Sequence, residues 1–335
     1  MAGTQKRGKT SSAMKWDSSQ SRQSMVGKKP LAEPESVPQA LAMVGLYVCR
    51  SVVLIEPQVK VPVYLGILLF GSVVCDFLPL PRTYFSRKDN FFNAYFVKLG
   101  WGWTVVVVGL FVYLSARVYC CGDRNLIKRH LFRLAIGSAI WFFSTNFFLL
   151  FEYYTGHCSS DKYASRSACV KAGSKWSGFD ISGHSFLLIY CNLFIMEEAK
   201  SLRGWEKIGE MIRNEKFDDD SPLKEVPEEK LVVLRDEYPK LTPYIRFLFV
   251  AMTLLSILWD VMLVCTVIYF HTMVQKVSGG VIAVLLWFVT YRFLYTLAWS
   301  PGLPGKGLVK YIDVGVRKFG TQRLNHSQPW RPMKS

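Results

Sequence analysis

The sequence predicts an all-α, polytopic membrane protein: a helical bundle of about six transmembrane helices preceded by an interfacial N-terminal helix. Three observations predict it. Half of the 335 residues are hydrophobic, and they come in blocks of about twenty rather than spread between polar faces. Such a block crosses ~30 Å of hydrocarbon as a helix. The net charge is +16, with the cations collected in tails and loops, the pattern that orients a membrane protein with its Lys- and Arg-rich segments cytoplasmic.

The elements follow in order. Residues 1–37 are polar, basic and Ser-rich, with no apolar core followed by a small-residue cleavage site; they are expected to form a disordered cytosolic tail. The segment 38–58 is apolar but carries Arg50 and ends at Glu56-Pro57. A buried Arg costs about 2.5–3.5 kcal/mol on insertion scales, so this segment should lie half-inserted or interfacial. A membrane domain over 59–299 then contains spans at 60–80, 93–116, 131–153, 182–199, 243–270 and 277–299. Within it, residues 200–242 carry dense mixed charge and read as a solvated, partly helical loop. Residues 300–335 open with Ser300-Pro301-Gly302-Leu303-Pro304, turn basic, and read as a cytosolic surface tail.

Charge sets the topology. The turn region containing Arg117, Arg124, Lys128 and Arg129 is short and basic, hence cytoplasmic, and six spans then place both termini in the cytosol. Residues 154–181 become lumenal. Cys158 and Cys169 would meet an oxidising compartment there and close a disulfide around Ser159–Ala168; two free thiols are the alternative. Cys49, Cys75, Cys191 and Cys265 lie in apolar stretches as small hydrophobes, while Cys120-Cys121 sits at a membrane boundary where palmitoylation is conceivable. No CxxC pair is present, so no metal site is expected, and no cofactor is implied. The basic charge comes without a base-reading motif, which argues against nucleic acid. Asp76 and Asp260 are too sparse to line a transport path; each is a functional candidate or a paired structural group. Glu197-Glu198 marks a span boundary.

Five histidines remain to be weighed. His130 and His326 read as solvated, and His157 as lumenal. His184 falls in Ser182-Gly183-His184-Ser185 at the start of a span. Ser182 suits an N-cap, Gly183 permits close backbone approach, and a helix start favours anions, so a His there beside Ser182 and Ser185 could hold a phosphate or protonate a leaving oxygen. His271 ends the preceding span on the same lumenal side, where the negative helix end suits a base or nucleophile. Together they permit phosphoryl chemistry without a metal. Two interfacial histidines with packing roles are the alternative.

The run Phe186–Glu198, with Tyr95-Phe96-Val97-Lys98, Tyr269-Phe270-His271 and Ser300-Pro301-Gly302-Leu303-Pro304 in the same order, resembles the fat-storage-inducing transmembrane (FIT) proteins of the endoplasmic reticulum. That family is similar to type 2 phosphatidic acid phosphatases. The resemblance implies a lipid-phosphatase-like core with six spans, His184 as general acid and His271 as nucleophile, with Ser182, Gly183 and Ser185 holding phosphate. It implies hydrolysis of the diphosphate of fatty acyl-CoA on the lumenal side, giving acyl 4′-phosphopantetheine and adenosine 3′,5′-bisphosphate, in support of lipid-droplet formation. It also implies contact with triacylglycerol, diacylglycerol and membrane lipids of the endoplasmic reticulum. A non-enzymatic protein that binds and partitions these neutral lipids is the competing expectation. The chain departs from the phosphatase pattern in lacking its Lys/Arg-rich first motif and its Ser-Arg pair; Arg87 and Lys88 are the nearest cationic stand-ins. No Asp follows His271 at the pattern's position, which leaves that imidazole without an activating partner in the sequence.

Overall fold

The computed structural model describes residues 37–312 apart from 79, 80, 82, 88, 161, 164 and 216–220. Helix α1 (Val37–Val53) is followed by α2 (Pro57–Gly66), which starts on a proline whose missing N–H costs nothing at that position. A π-helical turn (Ile67–Gly71) joins α2 to α3 (Ser72–Phe77), making one continuous apolar helix. After a loop come α4 (Gly100–Tyr119) and α5 (Arg124–Thr155). A two-residue antiparallel ribbon of β1 (His157–Cys158) and β2 (Trp176–Ser177) flanks α6 (Arg166–Lys171). Then follow α7 (Gly183–Ala199), α8 (Trp205–Asn214), α9 (Glu228–Tyr269) and α10 (Met273–Phe288).

Five of these runs are long and apolar enough to cross a membrane: Pro57–Cys75, Gly100–Tyr119, Arg124–Thr155, Glu228–Tyr269 and Met273–Thr296. The expected sixth, α7, has 17 residues, and every side chain from Ser185 to Ala199 is buried. Its neighbours fix its direction. The Ser182 N–H donates to Gln275 O at 3.0 Å at the start of α10, and Glu197 meets Arg292 at 2.6 Å near the other end of that run. Helix α7 therefore runs parallel to α10 over the same depth, as the central post of the bundle. Gly279 of α10 makes the approach possible, because a Cβ there would collide with the Ser182 carbonyl. The lipid-facing surface carries exposed Phe132, Phe142, Phe143 and Phe147 on α5.

The bundle has two ends. At the one called here the tail end, α4 turns into α5 through Cys120–Asp123 alone. Cys121 and Gly122 adopt left-handed φ of 49° and 70°, and the Asp123 carboxylate caps α5 by accepting from the amides of Asn125 (3.0 Å) and Leu126 (3.2 Å). Residues 124–130, expected in a loop, are helical. Cys120 and Cys121 are buried and burial pushes their thiols up to about 12 and about 11, an environment unsuited to acylation.

Residues 300–312, expected as surface tail, are strapped across this end. Arg129 Nη2 donates to Ser300 O (2.7 Å), His130 Nε2 to Lys306 O (2.9 Å), and Tyr311 Oη to Ser201 O (2.6 Å). His130, expected solvated, is buried; it receives a hydrogen bond from Arg133 at Nδ1, so it is neutral with its proton on Nε2. Beneath the strap, Arg133 binds Glu198 through two bonds of 2.8 and 2.7 Å, both side chains 1% exposed, and Tyr291 donates to the same carboxylate at 2.7 Å. Glu198 is thus a buried structural anion rather than a boundary marker. Arg50, the flaw in the first apolar segment, is paired with Glu206 of α8 at 2.6 Å.

Halfway along the bundle, Asp260 accepts from Tyr64 Oη and Asn192 Nδ2, each at 2.8 Å, so this intramembrane carboxylate is satisfied by two helices. The side chain of Asp76 lies outside the described residues. Residues 200–242, expected as a partly helical loop, contain α8 and the first part of α9.

Candidate active site

The second end carries the histidines. Helix α7 begins there because Ser182, in extended conformation, caps it by accepting from the Ser185 amide (3.3 Å). The Ser185 hydroxyl donates to Ser182 Oγ at 3.1 Å, and both side chains are fully buried. The two serines therefore shape the helix start and tie it to α10. The first helical turn itself presents amide N–H groups with the positive end of the helix dipole, and the space above the Gly183 Cα is open.

His184 follows in that first turn. Its Nε2 lies 2.9 Å from Asn93 Oδ1, and an amide oxygen can only accept, so Nε2 bears a proton. Asn93 belongs to a π-helical turn (Phe92–Val97) that precedes α4. The Asn93 amide donates to Asn90 Oδ1 (2.8 Å), and Asn90 Nδ2 donates to Arg87 O (2.7 Å), so Asn90 folds the loop that delivers Asn93 to the imidazole. The other face of the arrangement is Phe270, whose ring stacks parallel to His184 at 6.4 Å between centroids.

His271 is the next residue. Only Phe270, His271 and Thr272 connect α9 to α10, and this short link forces His271 to a left-handed φ of 57°. For a residue with a Cβ that conformation costs roughly 1–2 kcal/mol, a strain found where a side chain must be aimed. The link is held from both sides. Thr272 N–H donates to Gln275 Oε1 (3.1 Å), and the buried Lys276 ammonium donates to Val267 O (2.7 Å), stabilising the carbonyl end of α9. His271 Nδ1 stands 3.5 Å from Asp180 Oδ2, with the imidazole one-fifth exposed.

The short segment Asp180–His184 thus meets the Phe270–His271 link at two points, Asp180 on His271 and His184 on Phe270. Asn93 and Asp180 were both missed in the sequence. Asn93 stands just before the Tyr95–Lys98 block, and Asp180 stands two residues before Ser182, each without a local signature of its partner. Arg87 remains exposed and paired with Asp89 at 3.2 Å, on a loop that reaches the end of α9 through a Thr83–Tyr269 hydrogen bond of 2.9 Å. Lys88 lies outside the described residues. In the connection between α5 and α7, Cys158 and Cys169 form a disulfide with Cα atoms 5.8 Å apart.

A polytopic α-helical membrane protein with two imidazoles at one end, one held by an amide and the other by a carboxylate, is defined by this fold and site. The chain belongs to the fat storage-inducing transmembrane protein family, whose model matches residues 81–291. It is 44% identical over 309 residues to the acyl-coenzyme A diphosphatase FITM2 of Drosophila melanogaster, covering 90% of this chain and 73% of that protein. It is 37% identical over 245 residues to the protein of that name from Mus musculus (71% and 82% covered), and 33% over 279 residues to that of Caenorhabditis elegans (83% and 93%). No solved structure matches the chain.

Proposed function

We propose that the chain is an acyl-CoA diphosphatase in which His271 attacks phosphorus and His184 protonates the leaving oxygen. The pairing of His271 with Asp180, on the same short segment as His184, carries this reading. The Asp180 carboxylate facing Nδ1 favours the tautomer with its proton on Nδ1 and its lone pair on Nε2, and it stabilises the positive charge that grows on the ring. The Nε2–P bond forms as the bridging P–O bond of the CoA diphosphate breaks, and His184 supplies the proton to the departing phosphate. Water then attacks the phosphohistidine, with His184 taking the proton back. The products are acyl 4′-phosphopantetheine and adenosine 3′,5′-bisphosphate. Asn93 holds the His184 ring in register, and the amides at the start of α7, with Gly183, offer the phosphate its donors. Ser182 and Ser185 act by holding that helix start in place, and Arg87 and Lys88 stand as cations of the adjoining loop.

The same reading places the site in the lumen of the endoplasmic reticulum, with both termini in the cytosol. The disulfide at the histidine end supports an oxidising side, and the basic turn and strap at the tail end support a cytosolic side. Triacylglycerol and diacylglycerol would meet the protein from within the bilayer, along its exposed aromatic faces, in support of droplet formation.

The test is turnover of acyl-CoA by the purified full-length protein in nanodiscs, with both products identified by mass. The reading expects both variants to remain folded, with His271→Ala inactive and His184→Ala slowed by about 10²–10⁴-fold. Wild-type turnover in either variant overturns it.

A further inference from the structure

A cavity of about 810 Å³ opens at the tail end, at the far end of α7 from the histidines. Lys200, Arg203, Arg292, Lys306 and Lys310 stand in its wall against a single carboxylate, Glu197. Glu197 is buried and shared by Lys200 (2.7 Å) and Arg292 (2.6 Å), so one negative charge fixes two cations in the floor and neutralises one. Arg203 and Lys310 reach outward to Glu56 and Glu225 through exposed pairs, which are weak in water. Lys306 is exposed and makes no ion pair among the described residues. The wall is otherwise largely apolar, with Leu303 and Ile312 beside the cations.

Depth argues for the kind of ligand. Arg292 belongs to the last turns of the Met273–Thr296 run, and its guanidinium lies 4.9 Å from the Trp287 ring. Tryptophan and arginine so placed mark the level where hydrocarbon gives way to headgroups. Residues 313–335 carry Arg317, Lys318, Arg323, Arg331 and Lys334 against Asp313, so this segment adds positive charge at the cavity's end of the chain instead of supplying an anion to it.

We infer that this cavity binds the phosphate group of an anionic phospholipid from the leaflet at the tail end. The phosphate sits among Lys306, Arg203 and the floor cations, and the glycerol and acyl carbons lie along Leu303 and Ile312. A phosphate group could equally arrive on a water-soluble molecule, and the experiment separates the two sources.

Full-length protein is placed in nanodiscs of phosphatidylcholine containing a minor fraction of phosphatidate, and retained lipid is counted by native mass spectrometry. Wild type should retain phosphatidate in strong preference to phosphatidylcholine. Lys306→Gln combined with Lys310→Gln, two exposed positions, should cut that preference by roughly tenfold, and Arg203→Gln should lower it independently. Thermal unfolding and acyl-CoA turnover should be unchanged in all of them, which separates this site from the histidines. Equal retention of the two lipids, or a preference that survives both sets of substitutions, overturns the inference. So does displacement of the lipid by inorganic phosphate or adenosine 3′,5′-bisphosphate, which would assign the cavity to a soluble phosphate.

Discussion

The two ends of the bundle use the same residue types for opposite purposes. At the tail end His130, Arg133, Glu198 and Tyr291 are buried and mutually bonded, and His130 is locked as one neutral tautomer beneath the 300–312 strap. At the other end His184 and His271 are only partly buried, and His271 has its carboxylate partner at 3.5 Å, half exposed, on a backbone held in an uncommon conformation. Charge that is fully desolvated and fully paired gives rigidity; charge that is partly wet and singly paired can exchange a proton. The comparison teaches that, of these three imidazoles, the one held on both ring nitrogens at the tail end is the least able to react.

That contrast can be broken at several points. The largest effect is expected at the two imidazoles we propose to react. His271→Ala should abolish turnover, and His184→Ala should cost about 10²–10⁴-fold, with unfolding midpoints near wild type for both. At the tail end the order reverses. Arg133→Met leaves Glu198 as an unpaired buried anion, a loss of about 3–5 kcal/mol seen in the unfolding transition, whereas Arg133→Met with Glu198→Met should recover much of it. Recovery in the double variant would show that the pair, and not the arginine stem, carries the cost.

Asp180→Asn sharpens the site side. It keeps the shape and removes the charge that steadies His271, so kcat should fall by about tenfold to a hundredfold with little change in KM, below the ~10⁴-fold of a buried triad aspartate. An unchanged kcat would leave His271 without help from Asp180. The smallest effect is at Asp123, whose carboxyl is held below the usual range first by the Leu126 amide and then by the Asn125 amide and Lys230. Its folded pKa is depressed, so its contribution is present above the ordinary carboxylate pKa of ~3.9 and is lost as pH falls through the lower, folded value. Asp123→Ala should cost about 1 kcal/mol at neutral pH and nothing in strong acid, measured as the difference between the two proteins' unfolding free energies.

The sequence made the membrane spans legible because the solvent there is hydrocarbon, and an apolar run of sufficient length needs no partner to be recognised. It made the start of α7, and with it the place of His184, legible through Ser182, which announces a helix start by local chemistry. It hid Asn93 and Asp180, because each acts on an imidazole far away in the chain and neither has a local signature. The strap at the tail end is illegible in the sequence for the same reason. Ser300–Gly307 has the composition of a surface loop, and it is irregular, but Arg129, His130 and Arg133 bind its carbonyls from more than 160 positions earlier. Local signals report conformation, whereas burial is decided by partners that only the fold brings near.

The left-handed backbone at His271 has a consequence for inactive forms of the protein. Glycine accepts that conformation without penalty, so a chain carrying His271→Gly would lose the imidazole we propose as nucleophile and shed roughly 1–2 kcal/mol of strain, offset in part by glycine's greater freedom when unfolded. A cell making such a chain should accumulate it at normal or higher abundance. Loss of chemistry at this position would therefore pass unnoticed by any screen that measures how much protein is present.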